Sequence, residues 1–211
     1  VTIRTMEGLP QRQTAAARSR GRLTATLILT CGFLLIEVIG AWWSGSLALL
    51  ADAGHMLADA AGLALGLFAI WIAGRPPTPA KTYGYYRAEI LAALVNAIVL
   101  LVIAGAILFE TYRRLMAPPA VLGGPMLAVA VAGLAVNLVG AWLLHDDAAA
   151  SLNVHAAYLE VLGDALSSLG VVAAAATVIV TGWHLADPLV SGAIALVIVP
   201  RTWRLLRQAV N

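Results

Sequence analysis

Asp52, His55 and Asp59 recur at i, i+3 and i+7 in SLALLADAGHMLADAAGLAL, a stretch that is otherwise small and apolar. At 3.6 residues per turn this spacing keeps all three on one narrow stripe of a helix. Further along, Glu160 and Asp164 stand at i, i+4 in YLEVLGDALSS, again on one helical face. Two helices packed along those faces would bring an imidazole together with several carboxylates. Imidazole nitrogen and carboxylate oxygen are ligands for divalent ions, and His55, Asp59, Glu160 and Asp164 form a four-ligand set that could surround Zn²⁺ tetrahedrally at roughly 2.0 to 2.2 Å. Asp52 is open between a fifth ligand, a gate, a water-lined entry group and a structural role.

The surroundings explain why such charge needs a partner. The chain has 211 residues, 61% hydrophobic and 11% charged, with a mean hydropathy of +0.89, a composition of the membrane class. A charged side chain at mid-bilayer costs on the order of 2.5 to 3.5 kcal/mol on insertion scales, and a bound divalent cation would offset several carboxylates at once. The alternative is that these groups pair with one another or with water and hold helices together. It suits a lone intramembrane Asp better than two i, i+4 pairs. Other classes are disfavoured. A net charge of +2, with Lys and Arg scattered between apolar runs, gives no nucleic-acid surface. The single Cys31 allows neither a disulfide framework nor a thiolate cluster within the chain. No phosphate-binding glycine loop, nucleophile elbow or water-facing acid/base pair stands out, so an enzyme is not expected.

Stepping outward from the ligands, a bilayer core needs roughly 20 apolar residues per helix. Six runs qualify: Leu23 to Trp43, Leu47 to Ala73, Ala88 to Thr111, Val121 to Leu144, Val154 to Thr181, and Leu185 to about Leu206. The expected fold is an all-α membrane protein of six transmembrane helices. Breakers separate the runs at Ser44-Gly45-Ser46, at Gly74 to Pro79, at Pro118-Pro119 and at Gly182 with Asp187-Pro188. Placing the N-terminus in the cytoplasm puts eleven of the thirteen Lys and Arg residues inside and leaves Arg113 and Arg114 outside, so both termini are expected to be cytoplasmic. Residues 1–22, polar and Arg-rich, read as a retained cytoplasmic tail and not as a cleavable signal. Residues 23–207 read as the transmembrane domain and 208–211 as a short end.

A weak inverted repeat divides the chain. Glu37-Val38-Ile39-Gly40-Ala41-Trp42 echoes Asn137-Leu138-Val139-Gly140-Ala141-Trp142, and His55 to Ala60 echoes Glu160 to Ala165. Three spans separate the copies, so they run in opposite senses through the membrane. Small residues recur at Ala58, Gly62 and Gly66, and at Gly163, Ser167 and Gly170, permitting close helix approach. Asn96 and Asn137 read as interhelical contacts or supports for the ligands. Glu37 is deep enough to line a pathway or a proton relay. Glu110 is expected to pair with Arg113 and Arg114, and Glu89 with Arg87. His145-Asp146-Asp147 reads as a solvated loop, and His155 and His184 as interfacial.

The residues carry a further signal. SGSLALLADAGHMLADAAGLAL (44–65), YGYYRAEILAALVNA (83–97), LNVHAAYLEVLGDALSSLGV (152–171) and ADPLVSGAIALVIV (186–199) resemble the cation diffusion facilitator family of divalent-metal transporters, in particular its zinc-exporting bacterial members. The resemblance covers nearly all of Leu23 to Asn211. It implies export of Zn²⁺ or a similar ion from the cytoplasm in exchange for protons, by a homodimer in the bacterial inner membrane with one intramembrane site per protomer. The family's ligand pairs match His55 with Asp59 and Glu160 with Asp164. Many zinc-transporting relatives have His at the position of Glu160, and the harder set here could relax selectivity toward Cd²⁺, Co²⁺, Ni²⁺, Fe²⁺ or Mn²⁺. The family usually continues into a cytoplasmic metal-binding and dimerising domain, whereas this sequence stops at Asn211, just past the sixth span, as either a truncated or a naturally short member. Its His-rich loop before the fifth span is reduced to His145 and its neighbours. The expected mechanism is alternating access, against two rivals: a passive channel and a non-transporting metal sensor.

Overall fold

Along the first apolar run the residues that bury are, apart from Phe33, the small and polar ones. Thr26, Thr30, Phe33, Glu37, Gly40, Ala41 and Ser44 are buried, whereas Leu35, Ile36, Ile39, Trp42 and Trp43 are exposed. Steps of three and four are helical, and the pattern inverts that of a water-soluble helix: the large aliphatic side chains face outward, toward lipid, and the small ones allow close packing. The third run repeats it, with Ala97, Leu100, Ala104, Ile107 and Thr111 buried on a seam of alternating three- and four-residue steps.

The computed structural model describes the backbone of residues 9–73, 84–148 and 152–210, with side chains described mainly over 24–58, 94–146 and 154–200. It is all-helical, with α1 (Leu9–Ser44), α2 (Leu47–Ala73), α3 (Gly84–Met116), α4 (Gly123–Ala148), α5 (Leu152–Thr181) and α6 (Ala186–Val210). In a bilayer such helices satisfy their backbone groups internally. Among the described residues, Thr24–Ser44, Leu94–Met116, Gly123–Asp146 and Val154–Thr181 are long and apolar enough to cross a membrane, and Leu47–Ala58 and Ala186–Pro200 are shorter apolar stretches. The six predicted runs therefore correspond one to one with helices. Their ends differ: α1 begins well before Leu23 and α3 extends past both Ala88 and Thr111, because good helix formers such as Ala15, Ala16, Ala17 and Arg18 continue the hydrogen-bond ladder beyond the apolar segment. The connection from Gly74 to Pro79, the Arg87 and Glu89 side chains, Gly62, Gly66 and Asp147 lie outside the described residues.

The most extensive interfaces are α4 with α5 and α3 with α6, and α2 is touched by α1, α3, α5 and α6. In its first turn Leu47, Ala48 and Leu49 are buried. The core nearest that turn is built from Ala41, Ala48, Ala130, Ala174 and Ala175, with Leu49, Met126 and Val171 among them. The proposed repeat is visible in the burial: Glu37 and Asn137 are buried, as are Ala41 and Ala141, while Trp42 and Trp142 are 88% and 76% exposed. Gly40 abuts Val129 of α4, and Gly140 abuts Val161 of α5.

The Ser44-Gly45-Ser46 corner shows local sequence making local structure. Gly45 takes φ = 72°, a left-handed conformation that ends α1 without a Cβ penalty. Ser46 then caps α2 by accepting the Leu49 amide at 3.1 Å. A second cap comes from a distant element. Asp187, at the start of α6 and fully buried, accepts from Ser46 Oγ at 2.6 Å, Leu47 N at 2.9 Å and Ala48 N at 3.1 Å. Its negative charge sits at the positive end of the α2 dipole. Arg114 of α3 completes the corner, donating to the Gly45 carbonyl at 2.6 Å and standing 3.6 Å from Asp187. Thus α2, α3 and α6 are tied together at one end of the bundle.

Candidate metal centre

Asp52 and His55 of α2 face α5. Nε2 of His55 lies 3.4 Å from Oδ1 of Asp164, with side-chain exposures of 12% and 3%. One turn earlier on α2, Asp52 is buried and accepts hydrogen bonds from two consecutive hydroxyls of α5: Ser167 at Oδ1 and Ser168 at Oδ2, the latter at 3.2 Å. The amide of Asn137, from α4, donates to Ser168 Oγ at 3.2 Å. A continuous polar chain therefore runs from α4 through α5 to α2, inside an apolar bundle.

Of the four predicted ligands, the structure brings His55 and Asp164 together. Glu160 stands one turn before Asp164 on α5 and is half-buried. The Asp59 side chain, one turn beyond His55 on α2, lies outside the described residues. Among the described residues no three His, Cys, Asp or Glu side chains converge closely enough to hold a metal ion. The two described partners, His55 and Asp164, supply one neutral-capable nitrogen and one carboxylate, a donor pair suited to a divalent ion of borderline character.

The neighbouring polar residues sort by contact. Asp52, undecided from spacing, has its carboxylate oxygens engaged by serines. Ser167, read from sequence as a small packing residue, is one of those donors, and Ser168 was passed over; their signal was the i+3 and i+4 position relative to Asp164. Asn96 donates to the Ala58 carbonyl at 3.4 Å, an interhelical contact between α3 and α2. Glu110 receives Arg113 and Arg114, each at 3.1 Å, as expected. The His184 ring accepts the Val121 amide at 3.3 Å, tying two connections together, and His155 is exposed. His145 lies with its ring 5.7 Å from that of Tyr158.

Glu37 of α1 faces the same interior. It is 1% exposed, its carboxyl stands beside that of Asp52 and in electrostatic reach of Asp164, and its Oε2 has no hydrogen-bond partner among the described residues. Space is available next to the imidazole: a cavity of about 380 Å³ lies between α5 and α6, bounded by His55, Gly163, Ser167 and Gly170 with Val190 and Ala193 opposite. A Cβ added at Gly163 would meet nothing within 4 Å, so this glycine leaves the approach open.

Comparison with known proteins gives a consistent picture. The profile of the cation efflux transmembrane domain matches residues 23–211. The zinc transporter ZitB of Escherichia coli is 49% identical over 191 residues, covering 90% of this chain and 61% of that protein. The metal cation efflux system protein CzcD of Cupriavidus metallidurans is 47% identical over 189 residues, covering 90% and 60%. A cadmium, cobalt and zinc/H(+)-K(+) antiporter of Bacillus velezensis is 37% identical over 199 residues, covering 93% and 64%. The chain spans about three-fifths of the length of the curated relatives it matches.

Proposed function

This chain belongs to the cation efflux family, the cation diffusion facilitators that its motifs resemble, and from that membership we propose that it exports divalent metal ions, Zn²⁺ foremost, in exchange for protons. It is a multi-pass protein of the bacterial inner membrane. The observation that carries the reading is the meeting of His55 on α2 with Asp164 on α5 inside the bundle, at two of the positions where the family places its ligands. Asp59 and Glu160, one turn away from each along the same helices, complete the ligand set around the ion as it passes. Relatives named for zinc transport, for metal cation efflux and for cadmium, cobalt and zinc antiport support a divalent cargo and leave room for more than one ion.

Proton exchange follows from the donors. A metal ion needs neutral imidazole and ionised carboxylates, so protonating these groups from the side of higher acidity releases the ion, and ion entry from the other side releases protons. Alternating access exposes the site to each side in turn, with both chain termini in the cytoplasm and two copies forming the working dimer. Because α2 is clamped to α3 and α6 at its first turn, the rocking of α2 and α5 pivots at that end. The test is transport in proteoliposomes: Asp59→Ala and Asp164→Ala each abolish metal-driven proton flux while the protein still elutes as a folded species. Near-normal flux in either variant removes that residue from the site. A passive channel would move metal without proton exchange, and a sensor would bind it without flux.

A further inference from the structure

We propose that Glu37 and Asp52 form a carboxyl pair that carries a transported proton at a place separate from the metal ligands. The inference rests on the metal/proton exchange proposed above and assigns its proton to particular atoms.

The geometry begins with two acids on facing helices. Glu37 projects from α1 and Asp52 from α2, both 1% exposed, with their carboxyls side by side. No Lys or Arg stands with them among the described residues. Among the described residues, the titratable groups facing Glu37 are Asp52 from α2 and Asp164 from α5; His55 of α2 acts on Asp52; from α4 the uncharged Asn137 reaches Ser168. Two adjoining carboxylates in a low-dielectric interior do not both ionise, so such a pair holds one proton.

The hydrogen bonds assign it. Both oxygens of Asp52 accept serine hydroxyls, an arrangement that stabilises the carboxylate. The Oε2 of Glu37, by contrast, is buried without a partner among the described residues. A charge there is costly, and a neutral acid much less so. Glu37 therefore holds the proton when the metal site is empty.

Coupling is electrostatic. A doubly positive ion arriving between His55 and Asp164 favours the ionised form of Glu37, which is within reach of Asp164. The O–H bond of Glu37 breaks, the proton leaves to water on the side to which the site is open, and the carboxylate remains as part of the charge balancing the ion. Reprotonation of Glu37 from the opposite side restores the neutral acid and weakens the hold on the metal.

The experiment counts protons. The full chain in detergent, in weakly buffered solution with a pH indicator, is titrated with Zn²⁺, and protons released per ion bound are compared between parent and Glu37→Gln. The expected result is Zn²⁺ binding in both with one proton fewer released by the variant. An equal count overturns the proposal and leaves the metal site intact, whereas a parent that binds no Zn²⁺ overturns both. Infrared difference spectra, with and without Zn²⁺, supply a second reading should Glu37→Gln not fold. The parent should lose a protonated-carboxyl C=O band on binding, and Glu37→Asp should keep that loss at a shifted frequency. No such band in the parent, or one that Glu37→Asp leaves unmoved, refutes the assignment.

Discussion

Asp52 is a buried acid whose solvation is supplied by neighbours. The hydroxyls of Ser167 and Ser168 replace water, and Asn137 in turn directs the Ser168 hydroxyl toward it. Removing one member leaves another polar group without its partner in a dry interior, at a cost of roughly 1 to 3 kcal/mol. Ser168→Ala should therefore lower the melting temperature in detergent by several degrees, although the residue touches no ligand; an unchanged melting curve would mean that the chain of hydrogen bonds contributes nothing. In the proposed ligand set, Glu160 is the position that would bear on selectivity. A second imidazole softens the ligand set, so Glu160→His should narrow transport toward Zn²⁺ over Mn²⁺ and Co²⁺ in a metal-panel flux assay, and an unaltered profile would place selectivity elsewhere. The spacing of Asp52, His55 and Asp59 was enough to show that α2 has a polar face. Which oxygen meets which donor was not legible, because Ser167 and Ser168 are common small residues and their role depends on a helix more than a hundred residues away in sequence.

Between elements, the Asp187 corner is the clearest case of a long-range contact hidden in an ordinary local signal. Asp187-Pro188 reads from sequence as a chain breaker after Gly182, which it is, yet its carboxylate caps the next-but-three helix in reverse chain order, α2. Replacing it by Ala strands the Ser46 hydroxyl, two amides and Arg114 together. The expected destabilisation is about 3 kcal/mol, read as a drop in melting temperature, with Asp187→Asn retaining part of the loss; a variant as stable as the parent would show the corner to be incidental. The corner also gives Arg114 two acidic partners, Glu110 and Asp187. Packing between α1 and α4 is equally tight: a Cβ at Gly133 of α4 would lie 2.7 Å from the Phe33 ring. Gly133→Leu should separate α1 from α4 and cost about 1 to 3 kcal/mol. Helix number and order were legible because hydropathy runs of bilayer length can be little else. Helix ends were not, because the ladder of α1 continues through polar helix formers where hydropathy has already fallen.

For the whole molecule, the exposed apolar surface is itself informative. Trp42, Trp43 and Trp183 cluster at the end of the bundle that holds the Asp187 corner, and Trp142 and Trp203 are exposed toward the other end. Amphipathic rings at both ends are the mark of two membrane interfaces. Between them the interior holds carboxylates from α1, α2 and α5, an imidazole and a serine pair. That concentration of acid in a narrow bundle is what the proposed doubly charged cargo and its exchanged protons would explain together. The direct measurement is Zn²⁺ accumulation in proteoliposomes under an imposed pH gradient alone, acidic inside, with equal Zn²⁺ on both sides at the start. The parent should accumulate Zn²⁺ inside against its rising gradient and Asp164→Ala should not; equal accumulation without the pH gradient, or in the variant, would contradict an exchange of metal for protons at this site.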